Sequence, residues 1–169
     1  YKDITTTIPG YGTVKKDYIT SYDYPDSGHS LDYKRGLIKN AYYKDTSQNT
    51  KMQEDYGYSF SELPGFSNPN VSGVSNLVNV NVTLDGLKTI TDYDYNSKNG
   101  LVSKIIEYEG DNRITIINYS YETQSEMENK NMLSQIGEVK IYKNNLSSLQ
   151  AKSKVFYNNN FGNTNQWYP

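Results

Sequence analysis

The chain has 169 residues, no cysteine and a net charge of −2, with 17 basic and 19 acidic residues spread along its length. This balance argues against a nucleic acid or an acidic membrane surface as a partner, and the absence of cysteine excludes disulfides and thiolate metal sites. No apolar run approaches the roughly 20 residues of a membrane span, and the length fits one domain or two small ones.

Tyrosine dominates the apolar composition, with 18 Tyr against 4 Phe and 1 Trp. Tyrosine must therefore supply much of the buried surface, with each hydroxyl held near water or a polar partner. Such side chains suit β-sheets that have one partly solvated face.

The N-terminal part predicts two strands. Residues 4–8 are β-prone and end at Pro9-Gly10, a sequence typical of a type II turn. Residues 13–24 alternate, with Val14, Tyr18, Tyr22 and Tyr24 assigned to one face, and this pattern predicts one long strand.

The next segment predicts a hairpin followed by a seam. Gly36 marks a bend before a strand that runs through Tyr43, residues 45–49 form a polar turn, and residues 51–60 return with Tyr56 and Tyr58 on one face. Prolines punctuate residues 61–73, which predicts a long loop or subdomain seam. We therefore divide the chain into an N-terminal hairpin segment, 1–66, and a meander with a C-terminal hairpin, 67–169, or else treat it as one continuous module.

The clearest pattern lies in residues 77–84, where Val78, Val80, Val82 and Leu84 alternate with polar residues. Asp85-Gly86 follows, and Asp-Gly between alternating runs predicts a type I′ hairpin turn. This turn would place Val82 opposite Thr89, Val80 opposite Thr91 and Val78 opposite Tyr93.

A second hairpin follows, with a strand at 101–109. A three-residue loop Gly110-Asp111-Asn112, with Asn112 in the left-handed region, would place Glu109 opposite Arg113 and Ile105 opposite Ile117. Further on we expect a helical turn within 123–131, a strand at 136–143 and its return at 151–157. The predicted fold is all-β, built from antiparallel hairpins.

A loose repeat runs through these hairpins. Gly36-Leu37 leads to Tyr56-x-Tyr58, Gly100-Leu101 leads to Tyr119-x-Tyr121, and Met132-Leu133 leads to Phe156-Tyr157. Each unit is a hairpin of about 20 to 25 residues, too small to bury its own face alone, so neighbouring units must pack or pair.

The run Tyr93-Asp94-Tyr95, Asn99-Gly100-Leu101, Tyr108 and Tyr119-Ser120-Tyr121 resembles the tyrosine-aspartate (YD) repeat of RHS-type proteins. The earlier stretches 11–14, 32–37 and 42–43 and the later stretches 131–134 and 138–142 are similar to other parts of large RHS-repeat surface proteins from Bacteroidetes. Together these stretches cover most of residues 11–157.

The resemblance implies a segment of a large exported or surface-attached bacterial protein. In related proteins many repeats form a twisted or spiral β-sheet that closes into a shell around a cargo, often a C-terminal toxin. The implied partners are flanking repeats of the same chain or a cargo protein. Because the sequence begins with Tyr1 and shows no signal peptide, we expect a processed product or a piece of a longer chain.

Paired tyrosines are the candidate ligand-binding residues. If they align across strands, they form an aromatic stripe that serves either as core or as a platform for a glycan or a protein. We favour a core or sheet-face role, with binding as the alternative. The set is Tyr22, Tyr24, Tyr56, Tyr58, Tyr93, Tyr95, Tyr119 and Tyr121.

Catalysis is the least favoured function. Asp92 and Asp94 place two carboxylates on one strand face, a pattern that glycosidases and hard-cation sites use, but a solvated strand face explains them more simply. His29, the only histidine, has no second His or Cys to complete a site, which predicts a surface loop residue. We predict no catalytic residue, no metal site and no cofactor.

Overall fold

The computed structural model describes residues 1–26, 31–62 and 73–157, and it confirms the all-β prediction. In these residues the strands form a sheet of ten, in which each strand neighbours the next one along the chain. The strands are β1 (Asp3–Ile8), β2 (Gly12–Tyr18), β3 (Ile38–Lys44), β4 (Thr50–Glu62), β5 (Gly73–Leu84), β6 (Leu87–Tyr95), β7 (Val102–Glu109), β8 (Asp111–Tyr119), β9 (Ile136–Lys143) and β10 (Leu149–Lys154).

Short helical segments interrupt the meander at two places. A 3₁₀ turn spans Asp32–Lys34 before β3, and a second one, Ser120–Glu122, follows β8. The helix α1 (Ser125–Asn129) falls within the predicted range 123–131. In the described part of the chain, no helix has both the length and the apolar character that crossing a membrane requires.

Two predicted turns are confirmed by their backbone angles. Asp85 and Gly86 both have positive φ, 47° and 85°, as a type I′ turn requires, and they connect β5 to β6. Gly10 has φ 78° in the turn between β1 and β2, which fits the predicted type II turn.

The predicted long strand over residues 13–24 is wrong beyond Tyr18. Strand β2 ends there, and residues 21–24 form a turn. The turn forms because the Asp23 carboxylate accepts hydrogen bonds from the Thr20 amide at 2.9 Å and the Thr20 hydroxyl at 3.2 Å. Side-chain bonds of this kind compete with a strand ladder, so Tyr22 and Tyr24 do not lie on a sheet face.

A β-bulge interrupts the alternation predicted for β5. Gly57 of β4 pairs with Asn79 and Tyr58 pairs with Leu77, so Val78 has no register partner in β4. The bulge places Leu77, and not Val78, opposite Tyr58. The predicted pairing of Val78, Val80 and Val82 with β6 stays a prediction.

The hairpin of β7 and β8 is confirmed, but its predicted register is wrong by two residues. Glu107 lies opposite Arg113 and Ile105 lies opposite Thr115. The reversal centres on Gly110, with φ 68°, and Asn112 does not adopt the left-handed conformation. A shift of two residues keeps every side chain on its predicted face, because side chains alternate with a period of two.

The chain divides into two compact units, Tyr1–Thr91 and Asp92–Pro169. In the first unit, the buried hydrophobic residues within the described range are Ile19, Leu31 and Ala41. In the second they are Ile114, Tyr119, Tyr121 and Met127. The predicted division at 66/67 stays a prediction, and most of the predicted seam at 61–73 lies outside the described residues.

A hydrogen bond recurs in three of the hairpins. The hydroxyl of Tyr58 donates to the carbonyl of Ile38 at 2.9 Å, that of Tyr119 to Val102 at 2.8 Å, and that of Tyr157 to Ile136 at 3.3 Å. Each acceptor is the first residue of its hairpin, at the start of β3, β7 and β9. We call this contact the tyrosine latch. It belongs to the same three units that the sequence repeat marks.

Candidate functional site: an aromatic cleft

The cleft begins with the turn that ends β2. Thr20 and Asp23 hold this turn together, and the Tyr22 amide donates to the Thr20 hydroxyl at 3.2 Å. Arg35 then fixes its far end, because the guanidinium donates twice to the Tyr24 carbonyl, at 2.8 and 3.2 Å. The backbone of Tyr24 is therefore held independently of its side chain.

The opposite wall is the end of β4, where Tyr56, Tyr58 and Phe60 follow at intervals of two. The Tyr56 hydroxyl donates to Glu54 Oε2 at 2.7 Å, and the Tyr58 hydroxyl makes the tyrosine latch. Burial, together with the Glu54 carboxylate, raises the pKa of Tyr56, and burial raises the pKa of Tyr58. Both phenols are therefore neutral at physiological pH.

The two walls meet through aromatic contacts. The rings of Tyr24 and Phe60 pack edge to face with centroids 5.3 Å apart, and Tyr58 stacks on Phe60 at 6.3 Å. Between them lies an open cleft of about 350 Å³. Its lining residues are Ile19, Asp23, Tyr24, Lys39, Tyr56, Tyr58 and Phe60.

One ion pair lies in the lining. Lys39 Nζ is 3.0 Å from Asp23 Oδ1, and the Lys39 side chain is 53% exposed. The pKa of Asp23 is lowered to about 2, first by the hydrogen bond from the Thr20 amide and then by the one from Lys39. The carboxylate is therefore ionised at any physiological pH and balances the lysine charge.

A second lysine covers part of the same aromatic group. Lys34 Nζ lies 5.3 Å from the ring centroids of Tyr24 and Tyr33 and 5.7 Å from that of Phe60. This is cation–π geometry. The protein thus provides its own cation for these rings.

The eight predicted tyrosines do not form one stripe. The structure brings Tyr24, Tyr56 and Tyr58 together at the cleft, while Tyr22 is 91% exposed and is not part of the lining. In the second unit, Tyr119 and Tyr121 stack with centroids 6.3 Å apart and are buried with Met127.

The remaining pair, Tyr93 and Tyr95, lies half-buried near the end of β6. The burial of Tyr119 and Tyr121 supports the predicted core role for these two residues over the platform role.

The two predicted carboxylates of β6 have partners on the neighbouring strand. Asp94 lies 3.2 Å from Lys104 Nζ with 66% of its side chain exposed, and Asp92 is hydrogen-bonded to the Tyr108 phenol. This is a solvated strand face. Within the described residues, no group of three or more His, Asp or Glu side chains could hold a metal ion. His29 lies outside the described residues.

Four lining residues, Ile19, Asp23, Lys39 and Phe60, were not predicted from the sequence. Asp23 had a local signal, because Thr20 and Asp23 are spaced as in a side-chain-capped turn. Phe60 continues the spacing of two set by Tyr56 and Tyr58 in β4, whereas no local pattern indicates that Lys39 lies beside Asp23.

Comparison with models of protein families, with curated proteins and with solved structures finds no match to this chain.

Proposed function

We propose that this chain is a non-enzymatic scaffold or shell segment of an exported or cell-surface RHS-type bacterial protein. In this function its hairpins are repeat units that pair with flanking repeats of the same longer chain or enclose a partner protein. The observation that carries the proposal is the tyrosine latch, which marks three hairpins as variants of one structural unit.

The recurrence of the latch has a physical basis. Each latch joins the last part of a hairpin to its first residue, so each unit is closed locally and its neighbours supply the rest of its burial. Stability that is divided between a local unit and its neighbour interfaces is typical of repeat proteins.

The outer strands and the small core also support a scaffold. All residues of β1 and β10 are exposed, and each strand pairs with one neighbour within the described residues. Outer strands with free backbone groups accept further strands. In β7 all residues but the last are half-buried, so neither face of this strand is fully covered.

Hydrogen–deuterium exchange tests the proposal. The 169-residue chain would be compared with the full product of its gene, and the amides of β1 and β10 that face away from β2 and β9 would be followed. We expect rapid exchange in the short chain and protection in the full product. Amides of β8, which is paired on both sides, are the matched control and should be protected in both.

Equal exchange of the β1 and β10 amides in the two proteins would contradict the scaffold function. A gene product with no further hairpins in which a tyrosine lies 17 to 21 residues after the first strand residue would also contradict it. Both outcomes can be read without any ligand.

A second function, binding of a glycan or a protein through tyrosine side chains, is favoured by one observation. Three of the eight candidate tyrosines, Tyr24, Tyr56 and Tyr58, line one open cleft together with an ion pair. A protein that displays repeats at a cell surface can carry such a site without losing its scaffold function.

A further inference from the structure

We propose that the aromatic cleft binds a neutral pyranose ring, as one sugar of an oligosaccharide. This inference rests on the second candidate function and specifies its ligand class. It is carried by the joint presence in one cleft of Tyr24, Tyr56, Tyr58, Phe60 and the Asp23–Lys39 pair.

The size of the cleft selects a small ligand. Its volume of about 350 Å³ lies near the lower end of the range for small-molecule sites. One or two sugar rings fit this volume, whereas a protein partner would need a far larger surface.

The aromatic walls suit the hydrocarbon face of a sugar. A pyranose with equatorial hydroxyls presents a flat face of C–H groups, which packs on an aromatic ring as other apolar groups do. Tyr24 and Phe60 meet edge to face, so their rings form a corner and not a closed stack. A ring-shaped ligand can therefore contact one aromatic face and the adjacent edge.

The polar groups of the lining match hydroxyls. The hydroxyls of Tyr56 and Tyr58 already donate to Glu54 and to the Ile38 carbonyl. Within the cleft their oxygens can therefore only accept hydrogen bonds. The Lys39 ammonium has three N–H donors, of which Asp23 takes one. A sugar hydroxyl both donates and accepts, so it can satisfy both kinds of group.

Charge argues against the other ligand classes. A cationic ligand would meet Lys34, which already lies over Tyr24 and Phe60, and Lys39 in the lining. An acidic sugar would meet the ionised Asp23, which already neutralises Lys39. A neutral ligand meets neither repulsion.

Two variants and two matched controls test the inference. Tyr24→Ala removes one wall while Arg35 still holds the backbone, and Tyr22→Ala removes an exposed tyrosine of the same turn that lies outside the cleft. Lys39→Met removes the ammonium group that donates hydrogen bonds and keeps an aliphatic side chain of similar length. Lys51→Met is its control, since Lys51 is equally exposed, at 56%, and lies 3.8 Å from Asp45.

Binding of neutral cello-, manno- and galacto-oligosaccharides would be measured by isothermal titration calorimetry, with circular dichroism to show that each variant folds. We expect binding of at least one of these sugars, weakened about tenfold or more by Tyr24→Ala and by Lys39→Met. The controls Tyr22→Ala and Lys51→Met should bind like the unchanged protein.

Three outcomes would overturn the inference: no binding of any neutral sugar by the folded protein, binding that both cleft variants leave unchanged, or binding of uronate-containing oligosaccharides alone. The hydrogen-exchange test of the scaffold function uses no sugar. The two proposals can therefore fail separately.

Discussion

The hydroxyl of Tyr58 donates a hydrogen bond of 2.9 Å to the carbonyl of Ile38, which opens the same hairpin twenty residues earlier. Tyr119 and Tyr157 repeat the contact with Val102 and Ile136. A phenylalanine at these positions would fill the same space but leave the carbonyl without this partner. The latch therefore gives a physical reason for tyrosine, and not phenylalanine, at these three positions.

Replacing a latch tyrosine by phenylalanine should destabilise the protein in proportion to the burial of the bond. We expect Tyr58→Phe and Tyr119→Phe each to lower the free energy of unfolding by about 1 kcal/mol. Tyr157→Phe should cost less, because its bond is longer and exposed. Urea unfolding measures these changes.

The matched control for the latch is Tyr22→Phe, whose hydroxyl is on an exposed side chain. It should change the unfolding free energy very little. If the latch variants were no less stable than this control, the latch would have no energetic role.

Two glycines in the first hairpin should differ sharply when changed to alanine. Both have positive φ, 78° for Gly10 and 116° for Gly12. A Cβ on Gly12 would clash with the Lys44 carbonyl oxygen, whereas one on Gly10 meets nothing within 4 Å. We expect Gly10→Ala to cost about 1 kcal/mol and Gly12→Ala about 3 kcal/mol or more, measured by thermal unfolding.

Met127 should contribute much of the stability of the second unit. Its side chain is fully buried, and it packs with Tyr119 and Tyr121. Met127→Ala should therefore cost about 2 to 5 kcal/mol, a typical range for a buried large-to-small change. Leu146→Ala, at a position that is 61% exposed, is the control, and equal losses in the two variants would contradict this core.

Acid should destabilise the protein partly through Glu138. Hydrogen bonds first from Lys140 and then from Lys152 lower its pKa from 4.5 to about 2 in the folded protein. Because the folded pKa is depressed, this contribution to stability is present above pH 4.5 and is lost as the pH falls toward about 2.

Between pH 4.5 and about 2, the variant Glu138→Gln should lose less stability than the unchanged protein. The measurement is the urea midpoint of unfolding of each protein at a pH above this range and at one near its lower end. Glu107→Gln, which removes an exposed carboxylate 3.6 Å from Arg113, is the comparison. An unchanged acid sensitivity in Glu138→Gln would show that other carboxylates dominate.

Local patterns in the sequence predicted most of the strands. Asp85-Gly86 needs only its own two residues to form its turn, and for that reason its prediction is confirmed. The alternation through Tyr22 and Tyr24 failed because Thr20 and Asp23 form side-chain bonds that a period-two pattern does not register. The predicted register of β7 and β8 is wrong because Gly110, and not Asn112, adopts the left-handed conformation, which costs less for glycine.

The cleft was only half predictable. Tyr56 and Tyr58 are predictable as a pair because they lie two residues apart in one strand. Their association with Tyr24 and Lys39 depends on a turn and on strand pairing, which no short stretch of sequence encodes. The eight tyrosines separate into different clusters for the same reason, because turns and strand pairing decide which of them meet.

Glu54 accepts hydrogen bonds from the phenols of both Tyr43 and Tyr56, and burial together with this carboxylate raises the pKa of each phenol above its usual value of 10.0. These two phenols should therefore remain protonated at a pH at which a free tyrosine, with a pKa of about 10, ionises. In a spectrophotometric titration, the phenolate absorbance of Tyr43 and Tyr56 should therefore appear only above the usual pH range for tyrosine.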